Sequence, residues 1–122
     1  MEIDVDKMYC GIIKRGDIFL CEYANEEKIV VVLQDSVLNR SLPTVTCAII
    51  ETHEKTEDVF PNEVELDEHD LWINRKGICM LHKIITVDRR LILSKQGEIP
   101  RRKKEEIYKA LDINLGRFRD LV

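Results

Sequence analysis

Short apolar runs, each about the length of a β-strand, recur along the first three quarters of the chain. The run from Ile29 to Leu33 is uninterrupted, which is typical of a strand buried on both faces. Polar turn signals such as Lys14-Arg15-Gly16-Asp17 separate these runs. The pattern predicts strands at residues 18–23, 28–34, 44–50, 62–66, 77–85 and 91–93, with a turn at Gly97.

The apolar spacing changes near the C-terminus from alternation to steps of three and four. Residues that follow this helical spacing are Ile107, Leu111, Leu115, Phe118 and Val122. Pro100 precedes them, and proline is well suited to the first turn of a helix. The sequence therefore predicts one helix over residues 100–122. Strands followed by a single helix indicate an α+β domain, a small antiparallel β-barrel with a C-terminal helix as its lid. Residues 1–13 are expected to be an N-terminal extension of a domain at 14–122.

Length and charge narrow the possible classes of protein. A chain of 122 residues is the size of one domain. Its 19 Lys and Arg against 23 Asp and Glu give a net charge of −4, which excludes an overall basic coat for nucleic acid but not a local basic face.

The cysteines and the N-terminus indicate the compartment. Four cysteines occur without a Cys-x-x-Cys pair, a pattern that disfavours a zinc ribbon and suits a reducing cytosol. The acidic start, Met1-Glu2-Ile3-Asp4, is unlike a secretory signal, and no segment has membrane-spanning length. We therefore expect a soluble, cytoplasmic protein without a metal or other cofactor.

Several segments, taken in order, resemble the MazF/PemK/Kid toxins. The similarity begins at Arg15-Gly16-Asp17 and continues through the valine-rich run at 28–34 and the loop and strand at 39–45. It ends with Thr86-Val87-Asp88, the turn Gly97-Glu98-Ile99-Pro100 and the helical residues 106–111. Together these segments span roughly residues 13 to 121, nearly the whole chain.

This resemblance implies an SH3-like (CcdB/Kid/MazF-like) barrel that forms a homodimer. It also implies a metal-independent endoribonuclease that cuts single-stranded mRNA at short sequences, leaves a cyclic phosphate and a 5′-hydroxyl, and is blocked by an antitoxin protein. The chain departs from the family pattern at the expected catalytic positions. Lys28 replaces an arginine, Glu51 replaces a Thr or Ser that has shifted to Thr52, and His82 stands at an acidic position.

Metal-free cleavage of RNA requires a base, an acid and positive charge near the phosphorane. The candidates for these catalytic roles are His82, Lys28, Thr52 and Glu51. Each also has a structural interpretation. His82 would be a partly buried histidine with a satisfied hydrogen bond, Lys28 a solvated lysine at a strand end, and Glu51 a surface acid.

The candidates for RNA binding are Arg40, Lys83, Arg15 and Trp72. Arg40 would supply the guanidinium that Lys28 lacks, or would only hold its own loop. Trp72 would stack on a base if it is exposed, or would plug the core or a dimer contact if it is not. The basic run at 101–104 would bind phosphate or an acidic antitoxin tail, or would only aid solubility. The acidic residues at 65–70 are more typical of a solvated turn than of a metal site.

Two hypotheses of different classes remain open at this point. One is the sequence-specific endoribonuclease toxin. The other is a catalytically weak or inactive protein of the same fold that binds nucleic acid or a partner. A gyrase poison of the CcdB type is a third alternative with a poorer match to the closing residues. Cleavage of RNA in excess EDTA discriminates the first hypothesis from the second.

Overall fold

The computed structural model describes residues 3–53 and 59–119, and within them six strands and one α-helix form the fold. The elements are β1 (Asp17–Tyr23), β2 (Glu26–Val32), β3 (Thr44–His53), β4 (Glu63–Leu66), β5 (Lys76–Asp88), β6 (Ile92–Glu98) and α1 (Arg101–Leu115). Two short 3₁₀ helices, Leu38–Arg40 and Arg89–Leu91, precede β3 and β6. The predicted α+β class is confirmed, with each predicted strand present.

The strands form one antiparallel sheet in the order β4-β5-β3-β2-β1-β6. Its two edges approach each other where Leu71, just after β4, bridges to Gly97 of β6. The Trp72 N–H extends this contact by donating to the Gln96 carbonyl at 2.7 Å. The edges therefore meet at one short contact, and the hydrogen-bond ladder does not run continuously around a closed barrel.

Both faces of the sheet are buried, which explains the uninterrupted apolar run in β2. Val31 contributes to the core cluster that α1 covers, whereas Val30 and Val32 contribute to the cluster on the other face. Successive side chains of a strand point to opposite faces, so a strand with core on both sides needs apolar residues at every position.

A two-residue turn joins β1 to β2. Ala24 and Asn25 both have positive φ, 52° and 64°, as a type I′ hairpin requires. This turn leaves the start of β2, and with it Lys28, at one end of the sheet.

The helix is shorter than the spacing of apolar residues predicts. It begins after Pro100 and ends at Leu115, because Gly116 adopts a left-handed conformation (φ 62°) and its N–H bonds the carbonyls of Asp112 and Ile113. Leu115 and Phe118 are exposed rather than packed, so the predicted continuation of the helix through residues 116–119 is wrong. Val122, the last residue of the predicted helix, lies outside the described residues. No helix within residues 3–53 and 59–119 has the length and apolar character needed to cross a membrane.

The turn predicted at Gly97 is also wrong, because Gly97 lies within β6. A side chain at this position would collide with the carbonyl oxygen of Asp70, so glycine permits the close approach of the two edges.

Residues 9–13 of the predicted N-terminal extension pack against the sheet. Tyr9 donates its N–H to the Ile92 carbonyl at 2.8 Å, and its ring contacts Phe19 edge-on at 4.8 Å between centroids. Ile13 is buried, and Arg89 donates to the Gly11 carbonyl at 3.2 Å. This part of the extension therefore contributes to the core.

Candidate functional site

The centre of the candidate site is a bulge in β5. Ala48 of β3 pairs with Ile84, but the next residue, Ile49, pairs with Met80, so residues 81–83 have no partner in the ladder. Leu81 turns into the core and donates its N–H to the Asn62 carbonyl at 3.1 Å. The two residues that follow, His82 and Lys83, are pushed to the surface. Bulges of this kind re-aim side chains and are frequent beside active sites.

Four charged side chains lie at the end of the sheet next to this bulge, and we call them the charge cluster: Glu26, Lys28, Glu51 and Lys83. Lys83 Nζ lies 2.9 Å from Glu51 Oε1, and Lys28 Nζ lies 2.9 Å from Glu26 Oε2. Ile29 pairs with Ile50, so Lys28 and Glu51 occupy neighbouring positions on β2 and β3.

The pKa shifts follow from these contacts. The hydrogen bond that Lys28 donates to Glu26, and then the negative charge of Glu26, raise the pKa of Lys28, and the charge of Glu51 adds a smaller contribution. The same hydrogen bond lowers the pKa of Glu26. Lys28 therefore keeps its proton at neutral pH. Each of the two lysines has a carboxylate at hydrogen-bond distance.

The cluster, together with His82 on the adjacent bulge, supplies some of the groups that RNA cleavage requires. Two ammonium groups can stabilise a phosphorane, and a carboxylate and an imidazole can transfer protons. His82 is exposed and lies within β5, not at its end, so its interpretation as a partly buried histidine is wrong.

Thr52 does not join this cluster. It is next to Glu51 on β3, and adjacent residues of a strand point to opposite faces. Thr52 shares the face of Ile50, which packs in the core cluster beneath α1. The structure therefore separates two residues that the sequence places at the same site.

Arg40 lies at the other end of the sheet. Its 3₁₀ helix lies beside the start of β3, where Thr44 pairs with Asp88. Arg89, the residue after Asp88, holds this helix in place by donating to the Asn39 carbonyl at 3.0 Å. Glu51 is seven residues farther along β3, a distance of about 23 Å at the usual rise of a strand. The expectation that Arg40 replaces a guanidinium beside Lys28 is wrong.

Arg15 is also at this far end. Its Nε donates to the Leu33 carbonyl, just beyond β2, at 3.0 Å, and its guanidinium lies 6.0 Å from the ring centroid of Tyr108. Arg15 and the charge cluster thus occupy opposite ends of β2.

Trp72 lies on the surface beside β6. It is 61% exposed, so the interpretation of its ring as a core plug is wrong. The Lys95 ammonium lies 5.7 Å from the centroid of the indole, and it also contacts Asp17 at 3.3 Å. An exposed indole beside a cation is suited to stacking on a nucleobase.

The acidic residues near Trp72 form a turn. Asp67 Oδ1 accepts the N–H groups of His69 and Asp70 at 2.9 and 3.1 Å, and buried Asp70 accepts the N–H of Asp67 at 3.1 Å. In the part of the chain that the structure describes, no three His, Cys, Asp or Glu side chains are grouped so that they could hold a metal ion.

Part of the basic run at the start of α1 is engaged in the fold. Lys103 Nζ donates to the Glu65 carbonyl of edge strand β4 at 2.9 Å, and Arg102 lies 3.8 Å from Asp67. A cation that covers the backbone of an edge strand protects that edge from pairing with other chains. These two contacts give the basic run a structural role.

Glu26 is a member of the site that the sequence analysis missed. The signal was present, because residues i and i+2 of a strand lie on the same face and Glu26 precedes Lys28 by two positions. The predicted strand begins only at residue 28, whereas β2 already begins at Glu26.

Comparison with known proteins gives matches over nearly the whole chain. The model of a family described as PemK-like, MazF-like toxin of type II toxin-antitoxin system matches residues 14–115. The endoribonuclease MazF of Staphylococcus saprophyticus is 26% identical over 112 residues, which cover 86% of this chain and 92% of the relative. The protein of the same name from Staphylococcus epidermidis is 28% identical with the same coverage.

Solved structures show the same fold. An endoribonuclease from a mycobacterial species, solved with its cognate antitoxin, superposes with a TM-score of 0.73 at 21% identity and covers 84% of this chain and 94% of its own. A MazE-MazF structure from Deinococcus radiodurans gives 0.70 at 18% identity, covering 87% of this chain and 97% of its own.

Proposed function

Because the chain belongs to the PemK-like, MazF-like toxins of type II toxin–antitoxin systems, we propose that it is an endoribonuclease that cleaves single-stranded mRNA. The staphylococcal relatives, whose matches cover 86% of this chain, are named endoribonucleases. The observation that carries the proposal is the charge cluster beside the β5 bulge, where Lys28 and Glu51 are neighbours and Lys83, the residue after His82, contacts Glu51.

The proposed reaction is transesterification within the RNA strand. The 2′-oxygen attacks the adjacent phosphorus, the bond from phosphorus to the 5′-oxygen breaks, and the products are a 2′,3′-cyclic phosphate and a 5′-hydroxyl. The proton of the 2′-hydroxyl passes to a base on the protein, and the departing 5′-oxygen takes a proton from an acid. No metal ion or other cofactor is part of this proposal.

The residues of the charge cluster and the neighbouring His82 divide these roles. Lys28 and Lys83 place positive charge at the phosphorane, which electrostatic stabilisation of this step requires. His82 and Glu51 are the proton-transfer groups, because imidazole and carboxylate are the side chains best suited to that task at neutral pH. Thr52 has no role in this assignment, since it lies on the opposite face of β3. Trp72, beside Lys95, is the proposed stacking site for a base.

The binding module is the second candidate, and a specific observation favours it. Both lysines of the charge cluster are paired with carboxylates at 2.9 Å, and Arg40 lies far from them. A protein of this fold with a neutralised site would bind RNA or a partner without cutting. The two candidates predict different products in the same assay.

An antitoxin and a second copy of the chain are the proposed protein partners. The mycobacterial structure of the same fold contains a cognate antitoxin, and the family model describes toxins of such pairs. We place the activity in the cytoplasm, where mRNA is found and where the chain's free thiols stay reduced.

The decisive experiment incubates the purified protein with a long unstructured RNA in excess EDTA. We expect discrete cuts whose downstream fragments accept label from polynucleotide kinase without phosphatase treatment, as 5′-hydroxyl ends do. A mock preparation, purified in the same way from cells that do not express the protein, controls for contaminating nuclease. Intact RNA that nevertheless comigrates with the protein would replace the endoribonuclease with the binding module.

A further inference from the structure

Each cation of the charge cluster already has an anion in the position that a phosphate would take. Two lysines face two glutamates, so the four side chains carry no net charge. The Glu26 carboxylate takes one N–H of the Lys28 ammonium and offsets its positive charge, so a phosphodiester oxygen that approaches Lys28 competes with this carboxylate. We propose that Glu26 is an internal competitor of the RNA phosphate at Lys28 and thereby sets the affinity for RNA. This proposal rests on the proposed function.

The hairpin fixes the competing carboxylate in place. Glu26 is the first residue of β2, directly after the type I′ turn, and pairs with Tyr23 of β1. Lys28 follows two positions later on the same face, with its ammonium 2.9 Å from Glu26 Oε2. The short turn leaves little room for the backbone to move, so the two side chains stay neighbours in the absence of RNA.

The contact is also easy to exchange. The Glu26 side chain is 68% exposed and that of Lys28 is 34% exposed, so water and ions reach both partners. Surface ion pairs of this kind contribute little to stability because solvent screens them and their side chains lose entropy. A phosphodiester carries one negative charge on two non-bridging oxygens, as a carboxylate does on its two oxygens, and can therefore take its place at Lys28.

Glu27 provides a matched control. It is the next residue, it is exposed, and it has the same charge, but it points to the opposite face of β2 and pairs with Glu22. Replacing either glutamate with glutamine changes the net charge from −4 to −3. Any general effect of charge on RNA binding is therefore equal in the two variants, and only Glu26→Gln releases Lys28.

The test measures binding of a single-stranded RNA that carries 2′-O-methyl groups, which prevent attack by the 2′-oxygen. We expect Glu26→Gln to lower Kd by about two- to fivefold relative to Glu27→Gln, the range of a surface ion pair. The melting temperature should not change, because Glu26 is exposed.

The double variant Glu26→Gln/Lys28→Ala should bind no more tightly than Lys28→Ala alone. A gain that persists without Lys28 would overturn the proposal, as would equal effects of Glu26→Gln and Glu27→Gln. If the wild type cuts unmodified RNA in either of these cases, the endoribonuclease function stands and only the role of Glu26 is lost. A wild type that neither binds nor cuts RNA would overturn both.

Discussion

At the scale of single residues, replacing His82 is expected to have the clearest effect on RNA cleavage. It is exposed on the β5 bulge next to Lys83, and no core contact depends on its ring. His82→Ala should lower kcat/KM for RNA cleavage by on the order of 10²-fold, the usual contribution of one proton-transfer group. The melting temperature should remain that of the wild type. His69→Ala, a change at an exposed turn, is the matched control, and unchanged cleavage by His82→Ala would shift the role to Glu51.

Lys28 is expected to act through its charge. Lys28→Ala should reduce cleavage by about 10²-fold because positive charge near the phosphorane is lost, and Lys28→Arg should restore much of it. Lys109→Ala removes an equal charge from an exposed position on α1 and should leave the rate unchanged. Rates measured at several RNA concentrations would separate KM from kcat. Equal effects of the two alanine variants would argue against a local role for Lys28.

The cysteines provide a test of the core that does not depend on function. Burial raises the pKa of Cys21 to about 11 and that of Cys79 to about 12, and it raises the pKa of Cys47 further still. Only Cys10 is exposed. At about pH 8 an Ellman reagent should therefore modify one thiol per folded chain and four after denaturation in guanidinium. Two or more rapidly reacting thiols would contradict the packing of β1, β3 and β5.

The sequence identified some residues of the site but did not determine their neighbours. Lys28, Glu51 and Lys83 are candidates through the resemblance to the toxin family, and the structure brings them together. Thr52 and Arg40 were grouped with them because the sequence shows how near residues are along the chain. It does not show which face of β3 a residue occupies, or at which end of the sheet a loop lies.

At the scale of elements, the bulge and the end of the helix are what the sequence did not reveal. Residues 78–85 are apolar except for the adjacent His82 and Lys83, and this interruption does not by itself show that three residues leave the β3 ladder. The spacing of Leu115 and Phe118 suggested more helix, but the left-handed turn at Gly116 prevailed over it. A glycine after an apolar helical run is a stronger stop signal than one further apolar residue is a signal to continue.

The position at which the helix ends can be tested by measuring the free energy of unfolding of two variants. Ile107 is buried in the core under α1, whereas Leu115 is 61% exposed. Ile107→Ala should lower the free energy of unfolding by about 2–4 kcal/mol, as expected when a large aliphatic side chain is removed from a core. Leu115→Ala should change it by less than about 0.5 kcal/mol. Denaturant titrations followed by circular dichroism give both values, and a large loss for Leu115→Ala would mean that this residue is packed in solution.

At the scale of the whole molecule, the charge distribution bears on how the chain would hold an RNA strand. The net charge is −4, and the charge cluster of one chain has no net positive charge. The other candidate cations, Arg15 and Arg40, lie at the far end of the sheet. One protomer therefore offers an extended RNA few cations in a row, whereas two copies related by a twofold axis would double the number of contacts.

The last prediction is accordingly a homodimer. Leu38, Leu115 and Phe118 leave 47%, 61% and 61% of their surface exposed, and exposed apolar surface favours association. Light scattering during size exclusion at micromolar concentration should give about twice the chain mass of 14.3 kDa. Because burial of apolar surface is not weakened by salt, the dimer should persist at about 0.5 M NaCl, whereas RNA binding should be lost. A mass of one chain at this concentration would mean that a single protomer must provide the whole RNA site.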